Sequence, residues 1–274
     1  DRVGPYRVEG PLGVGRMGKL ISKAVIRDPD LELVMVLGEE GLEIEGRDIG
    51  YLCGLDECGV TVLGADKLGD ALERSRPDVV IDFTSAKATM ENTPRISSFG
   101  ADIVVGTTGL DDKQLAALTE AVEGDGVGAV FAPNMSVGVN IFFELIRSAA
   151  EKLGDGYDIE VIECHHRFKK DAPSGTALKA TEILSKARGR KLGETAVYGR
   201  QGEAPREDGE IGVHAVRGGD IVGDHTVMFS SIGDRIEVTH RAHSRMTFVD
   251  GVLKAVKFIK GKKGVHGMND VLDI

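Results

Sequence analysis

Residues 10–21 read GPLGVGRMGKLI, and the fold of the first half of the chain turns on how that stretch is read. Within it, Gly13-Val14-Gly15-Arg16-Met17-Gly18 fits G-x-G-x-x-G, and Met17, Leu20, Ile21, Ala24 and Val25 then fall on one apolar helix face. A glycine turn that opens a helix points backbone N–H groups at a pyrophosphate, and the absent side chains let it approach. In a chain with 37 glycines the pattern alone is weak. The residues before it also fit poorly, because Glu9-Gly10-Pro11 leaves only residues 6–8 as a clean first strand.

The surroundings strengthen the reading. Asp28-Pro29-Asp30 stops the helix, and LELVMVL (31–37) is a near-continuous apolar run, as expected of a strand covered on both faces. Glu39 and Glu40 follow roughly 20 residues past Gly18, where dinucleotide folds hold the ribose 2′-OH. A carboxylate there repels a 2′-phosphate, so Glu39 favours NAD, while Arg16 beside the loop attracts a phosphate. Further buried strands are predicted at VTVL (60–63), VVIDF (79–83), IVVG (103–106) and AVFA (129–132), with helices over 66–74, 87–97 and 111–122. Strand and helix in alternation specify right-handed crossovers and a mostly parallel sheet. Gly106-Thr107-Thr108-Gly109 then lies at the carboxyl edge of that sheet, where such folds bind ligands.

After Asn134 the pattern changes. A long apolar-faced helix at about 137–153 precedes IEVIEC (159–164), a helix near 174–187, and three strand-like runs, IGVHAV, IVGDHTVMF and RIEVTHRA. Gly-rich turns separate these runs, which predicts an open antiparallel or mixed sheet. Val249, Val252, Leu253 and Val256 mark a closing helix that returns to the first domain, and 201–210 is a polar surface loop. The fold class is therefore α/β. A doubly wound parallel (Rossmann-type) nucleotide-binding domain covers 1–134 and 245–274; an α+β substrate and oligomerisation domain covers 135–244.

Composition narrows the function. The 274 residues are 41% hydrophobic and 28% charged, as in an ordinary soluble globular chain. A formal charge of −10 disfavours sequence-independent nucleic-acid binding. No apolar run approaches the roughly 20 residues that cross a bilayer, and the N-terminus lacks a secretory layout, so the cytoplasm is expected. Cys53, Cys58 and Cys164 have no metal-type spacing and read as reduced thiols.

The densest chemistry is ECHHRFKKDAPSGT (163–176). It leaves a strand, passes a turn in which Arg167, Lys169 and Lys170 outweigh Asp171, and enters a helix at Ser174, a suitable N-cap. The helix start offers the Gly175 and Thr176 N–H groups to an anion, and histidine beside it can deliver a proton near neutral pH. This reads as a carboxylate or phosphate receptor inside an acidic protein; a solvated basic turn with structural histidines is the plainer alternative. A metal site on Cys164, His165, His166 or the His240-x-x-His243 pair is disfavoured, because no single helix carries a carboxylate-plus-histidine set.

Taken whole, ECHHRFKKDAPSGTA closely resembles the signature segment of the 4-hydroxy-tetrahydrodipicolinate reductase (dihydrodipicolinate reductase) family of lysine and diaminopimelate biosynthesis. GRMG near the start, IDFT (81–84), GTTG (106–109), APNMSVGVN (132–140), AVRGGDIVGDHTV, THRAHSRMTF and MNDVLDI extend the resemblance over nearly the whole chain, in order. It implies reduction of a small cyclic imine dicarboxylate by NADH or NADPH as water is lost, with no metal. It further implies that His165 donates the proton and Lys169 assists, that His166 contacts a substrate carboxylate, and that Ser174, Gly175 and Thr176 hold one. Arg245 is a further substrate-site residue on the same ground. Phe83, Thr84 and Gly106–Gly109 are expected near the nicotinamide. Ala132, Asn134 and Met135 are expected at a cofactor-contacting hinge where the domains close, and a homotetramer is implied.

That family carries G-x-x-G-R-M-G directly after its first strand, and here Leu12 holds the place of the first glycine. Either Gly13 and Gly15 serve instead, together with Arg16, Met17 and Gly18, or Gly10-Pro11-Leu12-Gly13 begins the loop and Val14-Gly15 is an insertion. Two rival functions stay open at this point: a non-catalytic NAD-binding redox sensor, and a reductase of another imine or aldehyde on the same scaffold. The sensor gives no reason for the histidine segment.

Overall fold

The structure, a computed structural model, describes residues 6–12 and 14–274. The chain divides into two compact units: one runs to Ser136 and resumes over Phe248–Asp273, and the other is Val137–Thr247 with Ile274. In the first, β1 (Tyr6–Leu12), α1 (Arg16–Arg27), β2 (Leu31–Gly38), α2 (Ile49–Leu52), β3 (Val62–Gly64), α3 (Leu68–Ser75), β4 (Val79–Asp82), α4 (Ala86–Phe99), β5 (Asp102–Val105), α5 (Asp112–Asp125) and β6 (Gly128–Phe131) alternate. The second contains α6 (Val137–Leu153), β7 (Asp158–His165), α7 (Gly175–Ala187), α8 (Leu192–Thr195), β8 (Ala196–Tyr198), β9 (Ile211–Arg217), β10 (Gly223–Ser230) and β11 (Arg235–Ala242). The chain then runs through α9 (Met246–Ile259), β12 (Gly264–His266) and α10 (Met268–Leu272).

Strands of the first unit pair in the order β12-β6-β5-β4-β1-β2-β3, every pairing parallel. The order reverses between β1 and β4, the switch point beside which doubly wound folds bind nucleotides. Both faces are covered because successive residues of the central strands are apolar and point to opposite sides, as in β4. Val79 and Ile81 of β4 join Ile21 and Val25 of α1 and Val249, Val252 and Val256 of α9 in one core. Val80 joins Leu68 and Leu72 of α3, Ile96 of α4 and Val122 of α5 in the other.

The first strand differs from the expectation of residues 6–8: it extends to Leu12. It does so with breaks in register. Against β2, Val8 pairs with Leu33 but Glu9 with Met35; against β4, Glu9 pairs with Val80 and Leu12 with Asp82. Pro11 has no N–H to give to a ladder, and bulges absorb such a residue without ending the strand. The parity of β2 slips accordingly, so that Leu31, Leu33 and Val36 lie in one core and Met35 and Leu37 in the other.

In the second unit the order is β11-β10-β7-β9-β8, with β7 antiparallel to β10 and parallel to β9. Phe142, Ile146 and Ala150 of α6 and Ala177, Ala180 and Leu184 of α7 cover one face, over Ile159, Val161, Ile211, Val213, Val227 and Phe229. On the opposite face Glu160, Ile162 and Cys164 are only half-buried, and most of the edge strand β11 is exposed.

Candidate active site

The inward row of β7 is Ile159, Val161, Glu163, His165: two apolar residues, then two polar ones, all buried. A buried carboxylate is tolerated only when paired and hydrogen-bonded, and Glu163 is surrounded by donors. Arg217 forks onto it, with Nη1 2.8 Å from Oε2 and Nη2 2.7 Å from Oε1. The Ser174 N–H donates to Oε1 at 3.0 Å, and Oε2 lies 2.5 Å from His165 Nδ1. Burial by itself would raise the Glu163 carboxyl, but the Arg217 fork, His165 and the Ser174 N–H outweigh it and hold it below the usual carboxylate range.

Register explains the convergence. Parallel pairing of β7 with β9 sets His165 beside Arg217, and antiparallel pairing with β10 sets Glu163 beside His225. Beyond the strand ends, the Gly218 N–H donates to the His165 carbonyl at 3.0 Å and the Arg167 N–H to Gly219 at 3.2 Å, which fastens the histidine turn to the glycine turn after β9. His225 is 4% exposed, and burial, together with neighbouring His165, pushes its pKa down to about 4, so it stays neutral at physiological pH. Its Nε2 lies 3.1 Å from Ser174 Oγ, and its ring meets that of His165 edge-on at 5.2 Å. Opposite, a side chain at Gly223 would place its Cβ 3.0 Å from His165 Nε2.

Ser174 Oγ also accepts the Ala177 N–H at 3.2 Å, so Ser174 is the N-cap of α7 and its hydroxyl is engaged. Gly175 next to it is exposed, with nothing within 4 Å of where a Cβ would stand, which leaves the start of α7 open to an anion. Thr176 and His166 are half-buried, and His166 Nδ1 has no hydrogen-bond partner. Lys169 Nζ pairs with Asp171 Oδ1 at 2.9 Å, and that bond, against a smaller effect of burial, keeps the Asp171 carboxyl below its ordinary value. Arg167 and Lys170 are exposed, and Arg245 is exposed between β11 and α9.

The first unit gathers its candidates at the carboxyl ends of β1, β2, β4, β5 and β6. Gly13 lies outside the described residues. Gly15 caps α1 without a side-chain bond, and a Cβ there would meet nothing within 4 Å. Its neighbours are exposed Arg16, half-buried Met17 and buried Gly18. Val14 packs over Gly38, and exposed Glu39 follows at the end of β2. The Phe83 ring lies against Gly106 so closely that a Cβ there would fall 2.1 Å from its Cζ. Thr84 donates to Asp82 Oδ1 from its N–H at 2.9 Å and its hydroxyl at 2.6 Å. Thr107 Oγ1 donates to the same oxygen at 3.3 Å and accepts from Thr89 at 2.9 Å. Burial raises the Asp82 carboxyl above its usual range despite these bonds, and Asp82 Oδ2 has no partner. Thr108 and Gly109 are exposed beyond this network, Ala132 and Met135 are buried, and Asn134 Oδ1 accepts the Ser136 N–H at 3.0 Å.

Glu163, Arg217, His225 and Asp82 were not among the sequence-derived site residues. The available signal was parity: a charged residue on the inward face of a predicted strand requires a partner. Among the described residues, no group of three or more His, Cys, Asp and Glu side chains is placed to hold a metal, and no helix is long and apolar enough to cross a membrane.

Comparison with known proteins bears on both units. Residues 11–135 match the family described as dihydrodipicolinate reductase, N-terminus, and residues 138–272 match dihydrodipicolinate reductase, C-terminus. A protein of Methanothermobacter thermautotrophicus named 4-hydroxy-tetrahydrodipicolinate reductase is 48% identical over 263 residues, covering 95% of this chain and 96% of its own. A protein of the same name from Ralstonia pickettii is 46% identical over 261 residues, covering 95% and 97%. Among solved structures, the dipicolinate-bound dihydrodipicolinate reductase of Paenisporosarcina sp. TG-14 has a similar fold, with a TM-score of 0.77 at 24% identity over 97% of this chain and 98% of that one. An amine dehydrogenase from Mycobacterium smegmatis follows at a TM-score of 0.63 and 12% identity, covering 98% and 96%.

Proposed function

The chain belongs to the dihydrodipicolinate reductase family, and on that premise we propose how its residues carry out the reaction. It is an NAD(P)H-dependent 4-hydroxy-tetrahydrodipicolinate reductase of lysine and diaminopimelate biosynthesis. The substrate loses water to a conjugated imine, whose ring carbon 4 takes a hydride and whose neighbouring carbon takes a proton, giving tetrahydrodipicolinate. When bound, the nicotinamide nucleotide supplies the hydride. The first unit fits such a group: the uncapped start of α1 and the side-chain-free space at Gly15 suit a pyrophosphate.

One observation carries the substrate side. His165 has its Nδ1 on a buried carboxylate, in the same cluster as Ser174, which caps the open start of α7. His165 is the proton donor, acting through Nε2. Gly175 and Thr176 hold a substrate carboxylate at the helix start, His166 contacts a carboxylate, and Lys169 adds positive charge where hydride addition builds negative charge. Arg245 is a further substrate contact. Glu39, exposed just past the end of β2, accepts the ribose 2′-OH in this reading, so NADH is used at least as well as NADPH. Phe83, Thr84, Gly106–Gly109, Ala132, Asn134 and Met135 line the nicotinamide end. The enzyme works in the cytoplasm as a homotetramer built through the second unit, whose edge strand β11 and uncovered sheet face are available for it.

The test is NADH and NADPH oxidation with the freshly made product of the preceding synthase. Turnover with NADH at least equal to that with NADPH is expected; a strong NADPH preference would overturn the role of Glu39, and no turnover with either would overturn the assignment. His165→Gln should bind nucleotide normally but lose about 100- to 10,000-fold in kcat, the usual contribution of a general acid. Near-parent turnover in that variant would remove His165 from the mechanism. Light scattering of the eluted protein reads the subunit number directly.

A further inference from the structure

Glu163 accounts for more than its own burial. A carboxylate only accepts hydrogen bonds, so the imidazole nitrogen 2.5 Å from Oε2 must carry the hydrogen: His165 Nδ1–H donates to Glu163. The neutral ring is thereby confined to one tautomer, and the proton that comes and goes is the one on Nε2. The other oxygen of the same carboxylate accepts the N–H of Ser174, the residue that caps α7. The proton-bearing ring and the helix start are thus hung on one rigid group.

The structure assigns Glu163 as the positioning residue of this reductase, holding neutral His165 as its Nδ1–H tautomer and orienting the ring so that Nε2 is the nitrogen that takes up the proton and gives it from the imidazolium, and assigns Arg217 as the counter-charge that fixes Glu163. The proposal rests on the reading of His165 as proton donor. Glu163 is fully buried and both its oxygens are engaged by Arg217, His165 and Ser174; it acts through the histidine, as a buried carboxylate does wherever it orients an imidazole and stabilises its charged form.

The groups facing His165 come from every neighbouring element. Glu163 is on its own strand, and Arg217 is on β9. His225 is on β10, with His240 of β11 beside it in register. Lys169 and Asp171 lie in the following loop. Arg217 balances Glu163 and also donates to the Asp171 carbonyl at 2.6 Å, which ties the loop to the cluster. His225 is neutral, so no second imidazolium opposes a proton on His165. With the fork intact, the carboxylate orients the ring while Arg217 offsets part of its charge. The two partners thus turn opposite charges toward a proton on the ring.

That opposition supplies the test. Glu163→Gln keeps the shape and removes the charge. Its kcat should fall by about 10- to 100-fold, with KM and the dissociation constant for pyridine-2,6-dicarboxylate changed less than threefold. The basic limb of its kcat–pH profile should move to lower pH by about one unit. Arg217→Gln loses both the fork and the counter-charge, and its basic limb should move the other way, to higher pH; Arg217→Lys retains a cation but loses the fork, and its limb should move in the same direction by less. Where Arg217→Gln melts too low for assay, Arg217→Lys carries the comparison. In ring-labelled protein, NMR should show the His165 titration moving in the same directions without any turnover. Limbs and titrations that stay put while Tm falls would mean that Glu163 is only structural, and the proposal would be wrong. A His165→Gln variant with near-parent turnover would instead overturn the donor reading. The Glu163 NMR result decides the positioning claim separately.

Discussion

Two alanine substitutions in helices should have opposite signs, for reasons visible at single atoms. At Gly251 of α9 an added Cβ would lie 1.6 Å from the Met135 carbonyl oxygen and 2.8 Å from its carbon, whereas real Cβ contacts essentially never fall below 3.0 Å. The obstacle is backbone, so no side-chain rotation relieves it, and the helix and the peptide must part by about 1.4 Å or more. A gap of 0.5–1 Å already forfeits roughly a quarter to a half of a van der Waals well. The same helix buries Val249, Val252, Ala255, Val256 and Ile259 completely. Overpacking commonly costs about 1–3 kcal/mol; against rigid backbone the upper end applies, a loss of roughly 3 kcal/mol. For a chain of this size that lowers Tm by about 6–12 °C. Gly124, by contrast, is exposed near the end of α5, and a Cβ there meets nothing within 4 Å. Gly124→Ala should stabilise by about 0.5–1 kcal/mol through helix propensity alone, raising Tm by about 1–4 °C. Thermal melts by circular dichroism, repeated in urea, measure both. Gly251→Ala melting within about 2 °C of the parent would refute the packing of α9 against the Met135 peptide, and with it the account of how that segment is held.

Two other substitutions test the first unit. Asp82 has its carboxyl raised by burial, so its contribution to stability is fully present below the unfolded value near about 4 and is lost as pH rises through the folded value. Asp82→Asn keeps an acceptor for Thr84 and removes the buried charge; its Tm relative to the parent should therefore increase from pH 4 to pH 7, and a difference independent of pH would contradict the linkage. Asp111 caps α5 by accepting the Gln114 N–H at 2.8 Å while Gln114 Oε1 accepts the Asp111 N–H at 2.9 Å. Asp111→Ala should cost about 1 kcal/mol, a Tm drop of about 2–4 °C, and an unchanged melt would show that the reciprocal cap contributes nothing.

What the sequence reveals follows from how locally each feature is encoded. Strands covered on both faces write themselves as apolar runs, and the whole of β4, Val79–Asp82, is buried as VVIDF suggests. The period of α6 likewise gives its residues directly, 137–153. Short elements carry no period: α2, β8, β12 and α10 have only three to five residues each and were not foreseen. The extension of β1 past Pro11 was also hidden, because a proline there reads as a stop and only the pairing with β2 and β4 shows a bulge. At the site, the run 163–176 stands out because its chemistry is contiguous. The Glu163–Arg217 fork does not, since its partners are 54 residues apart and meet only through the register of two parallel strands.

The return of the chain to its first unit has a consequence for biogenesis. A ribosome releases everything up to Ser136, and then the whole of Val137–Thr247, before Phe248–Asp273 emerges. Until then Val8, Ile21, Val25, Val79, Ile81 and Val104 lack the α9 residues that cover them in the mature core, and β6 lacks its neighbour β12. The second unit can close its own core first. The nascent first unit meanwhile carries an apolar face and an open sheet edge, the features that recruit chaperones or other copies of an unfinished chain. Truncation within α9 should thus yield aggregated product rather than a smaller soluble domain.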